Sequence, residues 1–131
     1  MADLDLCYLS IAEASRRIEA GVLSPLTLTE ALYARIEETD GRLNSFVRLM
    51  RRSALAEARA AEERARTHSR RGPLDGLPIA VKDLFDTAGV VTAAGTGAYR
   101  ERVPLEDATA VRRLRDAGAV ILGKTNTHEL A

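Results

Sequence analysis

Tryptophan is absent from this 131-residue chain, cysteine occurs once and histidine twice. A lone Cys7 excludes an internal disulfide, and Cys7, His68 and His128 are too few to supply the soft ligand set a zinc site needs. Neither charge is in excess: 19 basic residues balance 19 acidic ones, so no net field draws the chain toward nucleic acid, a membrane surface or an acidic partner. No stretch of about 18 apolar residues could span a bilayer, and the opening residues, Met1 to Leu6, carry two aspartates in place of the basic segment of an export signal. These absences predict a cytoplasmic protein with no cofactor and no metal. Lysine is scarce as well. Of the 19 basic residues only Lys82 and Lys124 are lysine, and a buried lysine can lose its proton near neutral pH where arginine cannot.

What is present reads as one domain at most, since 46% apolar and 29% charged residues suit a folded chain of this length. Ser10-Ile11-Ala12-Glu13 has capping-box spacing and predicts a helix over 10–20, stopped at Gly21. Ser24-Pro25 reads as the cap and first residue of a second helix, in which Leu28, Leu32 and Ile36 recur every four residues up to Asp40-Gly41. After a short apolar stretch at Phe46-Val47, residues 51–70 are dominated by Ala, Arg and Glu and predict a third, mostly solvent-facing helix. Its arginines alternate with Glu57, Glu62 and Glu63 and have no aromatic neighbours for base stacking, so they do not form a nucleic-acid stripe.

Composition changes at Arg71-Gly72-Pro73, dividing a helical lead-in over 1–72 from an α/β segment over 73–131. Leu77 to Val81 predicts a buried strand ending at Lys82-Asp83. Residues 86–104 read as close-packed loops. Asp107 is placed to cap a helix that Gly118 ends, and Ala119 to Leu122 predicts a second strand. Strand, crossover helix and strand form the unit of a parallel or mixed sheet. Gly118 to Thr125 matches the phosphate-loop pattern G-x-x-x-x-G-K-[ST], but its four variable positions, Ala119 to Leu122, are the strand itself, whereas a phosphate-binding loop follows its strand. Gly95-Thr96-Gly97 lacks a third glycine, so neither segment is assigned a nucleotide.

The decisive block is Leu74-Asp75-Gly76-Leu77-Pro78-Ile79-Ala80-Val81-Lys82-Asp83. It resembles the signature of the amidase-signature family, L-x-G-[IL]-P-[IV]-x-[VI]-K-D. The likeness continues through Thr87-Ala88-Gly89, Thr92-Ala93-Ala94-Gly95, Asp107-Ala108 with Val111 and Leu114, the run from Ala117 to Asn126, and Glu129-Leu130-Ala131. The resemblance implies an α/β fold: N-terminal helices followed by the first strands and crossover helix of a mixed sheet, incomplete here. It also implies hydrolysis of carboxylic amides by a Ser-cisSer-Lys triad whose lysine is Lys82. The chemistry agrees, because a serine hydroxyl attacks only once a base takes its proton, and a neutral lysine can be that base. Lys82 follows three apolar strand residues, so its stem is expected to begin inside the sheet, with burial disfavouring its ammonium. Asp83 would oppose that by favouring the ammonium and is read as structural. Lys124 is read as a hydrogen-bond donor, Thr125 and Asn126 as lining the substrate site, and His128 as a pocket-wall or helix-start residue.

The family's serine-bearing segment has no counterpart. Serine occurs at positions 10, 15, 24, 45, 53 and 69, and residues 70–131 contain none. Cys7 has no nearby basic partner and is no substitute. The expectation is therefore the N-terminal part of an amidase, inactive alone, acting on a small-molecule amide. A missing C-terminal portion or a second copy of the chain would cover its exposed sheet. Two alternatives stand beside it: the glutamine-hydrolysing A-type subunit of a tRNA-dependent amidotransferase, and a non-catalytic remnant that binds a partner. Leu84, where an asparagine is expected in the transferase subunits, favours the general amidase.

Overall fold

The computed structural model describes residues 3–130; Met1, Ala2 and Ala131, the last of which closes the Glu129-Leu130-Ala131 motif, lie outside the described residues. The Asp3 carboxylate accepts from the N–H groups of Asp5 and Leu6 and starts a short helix, α1 (Leu4–Cys7), too brief to leave a periodic signal in the sequence. Ser10 accepts from the Glu13 N–H at 3.2 Å and opens α2 (Ile11–Glu19), and Ser24 caps α3 (Pro25–Leu43) through the Thr27 N–H at 3.1 Å, with Pro25 in the first turn. Helix α3 continues past the expected stop at Asp40-Gly41. Asp40 stays helical and turns its carboxylate onto the N–H groups of Ser45 and Phe46, and left-handed Asn44 provides the exit instead.

Phe46–Leu49 forms a strand, β1, and leads directly into α4 (Arg51–Arg66). Ala54, Ala58 and Ala61 make a buried stripe along α4, so this helix has a packed face as well as a wet one. Two of its arginine-rich positions are more than solvated surface: Arg64 holds Asp75, and Arg51 lies over the Tyr33 ring. Beyond α4 come β2 (Pro78–Lys82), a 3₁₀ turn (Gly97–Tyr99), α5 (Thr109–Asp116) and β3 (Val120–Thr125). The strands form one mixed sheet in the order β1-β3-β2, with β3 antiparallel to β1 and parallel to β2, and α5 as the crossover.

β3 sits at the centre and is buried on both faces. Val120 and Leu122 pack with Tyr33, Ala54 and Ala58 of α3 and α4, while Ile121 packs with Val81 and Val111 on the α5 side. The Tyr33 hydroxyl donates to the Leu122 carbonyl at 2.7 Å, and burial pushes its phenol up to about 12. β3 is also longer than the apolar run Ala119–Leu122 suggests, because Gly123 lets the strand pass the backbone of β1: a Cβ there would stand 2.3 Å from the Arg48 carbonyl oxygen. That glycine serves strand packing, which removes the phosphate-loop pattern on geometric grounds.

Asp107 does not cap α5. The cap position is Ala108, and the Asp107 carboxylate instead accepts from the Ala88 N–H at 2.7 Å and pairs with Arg115 at 3.0 Å, tying the loop after β2 to the crossover helix. A second clasp joins α4 to the entry of β2. Asp75, almost fully buried, accepts from both Nε and Nη2 of Arg64 and from the Arg71 N–H. Burial alone would raise its carboxyl, but the Arg64 and Arg71 hydrogen bonds outweigh it and hold Asp75 below the ordinary range. A carboxylate lowered in the folded state contributes stability that is present above its unfolded value, near 3.8, and is lost as pH falls through the lower folded value. Asp75→Asn is therefore expected to cost about 3 kcal/mol at pH 7, with the gap to wild type shrinking below pH 4 in urea melts run from pH 7 to pH 3. A gap that is constant over that range would refute the assignment.

Candidate active site

β2 is a sheet edge, and its side chains alternate. Val81 is buried toward α5, whereas Ala80 and Lys82 on the other face are exposed. Lys82 ends the strand at the sheet's carboxyl edge, where ligands commonly bind in α/β sheets. The burial expected at Lys82 is not supplied by these residues, because α3 and α4 cover the sheet over β3 and leave the end of β2 open. Among the described residues the Lys82 ammonium makes no hydrogen bond or ion pair.

Of the residues expected to line a substrate site, Thr125 stands directly beside Lys82 as its partner in the parallel pairing, and its carbonyl accepts from the Asp83 N–H at 2.9 Å. Asn126 faces the other way. Its backbone N–H donates to the Ser45 carbonyl and its side-chain amide to the Asn44 carbonyl at 3.2 Å, which clasps the exit of α3. His128 is exposed and its Nδ1 lies 3.3 Å from the Glu129 carbonyl. Among the described residues no group of three or more His, Cys, Asp or Glu side chains could hold a metal ion, and no helix is long and apolar enough to cross a membrane. Cys7 is partly buried; burial pushes its thiol up, which lowers its reactivity.

The buried lysine is Lys124. Between β2 and β3 the register shifts by one residue, Ile79 facing Ile121 and Ala80 facing Gly123, which pairs Lys124 with Val81 and sends its side chain to the α5 side, fully buried. There Nζ donates to the Phe85 carbonyl at 2.9 Å and the Thr92 hydroxyl at 2.8 Å, and lies 3.3 Å from Asp83 Oδ1. It is thus the hydrogen-bond donor its position suggested. Burial pushes the Lys124 ammonium below the ordinary lysine range, with Asp83 opposing that shift. Asp83 is structural too: its second oxygen accepts from the Ala93 N–H at 3.0 Å and its carbonyl from the Ala94 N–H at 2.9 Å. Together these bonds join the turn after Lys82 to the loop at 92–95. The sequence signal for this cluster was the pair of lysines itself in a chain that otherwise uses arginine.

A family model described as Amidase matches residues 27–131. The A subunit of the glutamyl-tRNA(Gln) amidotransferase of Anaeromyxobacter sp. (strain K) is 47% identical over 127 residues, covering 97% of this chain and 26% of that protein. A peptide amidase solved with the competitive inhibitor chymostatin superposes with a TM-score of 0.89 at 41% identity, over 97% of this chain and 26% of its own. The native peptide amidase of Stenotrophomonas maltophilia gives 0.88 at 42% identity, over 95% and 26%. The chain therefore spans about a quarter of the length of the relatives it matches.

Proposed function

The chain belongs to the amidase family, and from that membership we propose that it carries the lysine of an enzyme that hydrolyses a carboxylic amide to acid and ammonia. The observation that carries this reading is the position of Lys82, last in β2, exposed at the carboxyl edge of the sheet and next to Thr125. In this role neutral Lys82 accepts the proton of a serine relay, a Ser-cisSer pair, while an activated serine attacks the amide carbonyl. Residues 70–131 hold no serine, so on this reading the nucleophile and the oxyanion donors belong to the three quarters of the relatives' length that this chain does not span. Those residues would also cover the open end of β2 and give Lys82 the dry surroundings that a neutral amine needs. Thr125 would line the amide's approach, with Asn126 holding the strand end. The setting would be cytoplasmic.

A second reading is an A-type subunit that releases ammonia from glutamine for a partner protein. It draws on the 47% identity to such a subunit. The identity to peptide amidases is nearly as high, and Leu84 stands where the transferase subunits are expected to carry asparagine. A remnant that only binds a partner is the third. Ammonia release from benzamide, an amidated dipeptide and glutamine, assayed on the polypeptide at its native length, separates them. Turnover of benzamide or the amidated dipeptide without added protein is the expected result. Turnover of glutamine alone would point to the transferase reading. No turnover of any amide by a polypeptide whose native mass is the 14.2 kDa of this chain would leave the remnant.

A further inference from the structure

A base at Lys82 with a carboxylate as its next neighbour is a chemical conflict, because a nearby Asp83 anion would stabilise the Lys82 ammonium and keep its proton in place. The fold separates the two. The chain turns just past Lys82, and the Asp83 side chain lies nearly fully buried against Lys124, which shares the Val81 side of the sheet, facing its ammonium at 3.3 Å. Asp83 Oδ1 accepts no hydrogen bond, so Lys124 is its sole electrostatic partner among the described residues, while Oδ2 is held by the Ala93 N–H. The Lys124 ammonium is itself locked by the Phe85 carbonyl and the Thr92 hydroxyl. We propose that Lys124 is a positioning residue, the internal counter-ion that holds Asp83 away from Lys82 and cancels its charge, so that Lys82 is free to accept a proton.

The other charged groups near this pair are Asp86, on the same turn as Asp83, and Arg48 of β1. Asp86 is already matched by Arg102 in a two-bond pair at 2.6 and 2.7 Å. Arg48 is exposed. Neither replaces Lys124 against Asp83. A lysine that served packing alone would need no buried carboxylate opposite it. Its removal would change stability without changing how Lys82 titrates.

The proposal rests on Lys82 being the base, but its test reads the Lys82 amine directly and does not depend on turnover. In the polypeptide at its native length, the rate of Lys82 acylation by acetic anhydride is followed by peptide mass spectrometry from pH 6 to pH 11, and the pH at half-maximal rate is recorded. Lys124→Met leaves Asp83 as a bare anion, and the midpoint is expected to rise by about one pH unit. Asp83→Asn leaves the Lys124 charge uncompensated, and the midpoint is expected to fall. The double variant removes both charges and returns it to the wild-type value. Single variants that fold yet leave the midpoint in place overturn the proposal. Should Lys124→Met not fold, Asp83→Asn decides the matter by its opposite shift. Loss of turnover in a Lys82 variant tests the catalytic assignment separately, so the two can fail independently.

Discussion

If Lys82 is the proposed base, Lys82→Arg in the polypeptide at its native length is expected to lower kcat for amide hydrolysis by about a thousandfold while KM stays within a few-fold. The substitution keeps the positive charge and nearly the length of the side chain at the last residue of β2. What it removes is the capacity to be neutral, since the guanidinium keeps its proton at every pH the fold survives. General-base assistance contributes about 10²–10⁴-fold in rate, and a serine without its base is left with binding and oxyanion stabilisation alone. Single-turnover ammonia release from the best of the tested amides is the direct measurement. Activity within tenfold of wild type would show that Lys82 is not the base, whatever the fold.

The largest effect on stability is expected at Gly118. Its φ of +84° already disfavours any side chain, and a Cβ there would stand 2.2 Å from Asp75 Oδ1. Two costs follow for Gly118→Ala: about 1 kcal/mol for a non-glycine residue in the left-handed region, and most of the ~3–5 kcal/mol of the Asp75 to Arg64 pair once the carboxylate is displaced. Their sum is comparable to the whole stability of a small domain, about 5 kcal/mol at the lower end. The loss should therefore show as a large drop in unfolding free energy in urea melts of the native-length polypeptide followed by circular dichroism. Gly21→Ala is the control. Gly21 also has a left-handed backbone, φ +71°, but a Cβ there meets nothing within 4 Å, so only the backbone cost of about 1 kcal/mol is expected. Equal losses at the two sites would show that crowding against Asp75 is not what Gly118 prevents.

Local chemistry carried much of the fold into the sequence. Ser10 and Ser24-Pro25 announce their helices because a hydroxyl that satisfies an orphan N–H acts within three residues of itself, and both caps form as spaced. The strand at Pro78–Lys82 and the central strand were visible as apolar runs between turn residues. β1 was not, because four residues, only one of them better than exposed, become a strand solely by pairing with β3 some 75 residues later in the chain. Asp107 looked like a cap for the same reason that it is not one. A carboxylate before a helix has a local use by default, and only the fold reveals that Ala88 and Arg115 make the better offer.

The site divides along the same line. Sequence alone determined that this is an amidase-signature chain, that the signature lysine is Lys82, that it ends a strand, and that residues 70–131 contain no serine to act with it. Those properties reside in residue identity and near-neighbour spacing, which a linear text records in full. Only the tertiary structure decided which of the two lysines is buried. Apolar neighbours precede both, but burial depends on which face of a strand another element covers. A one-residue register shift between β2 and β3, at Ile79 and Ala80, placed Lys124 under the loop carrying Thr92, while Lys82 was left on the open face of an edge strand.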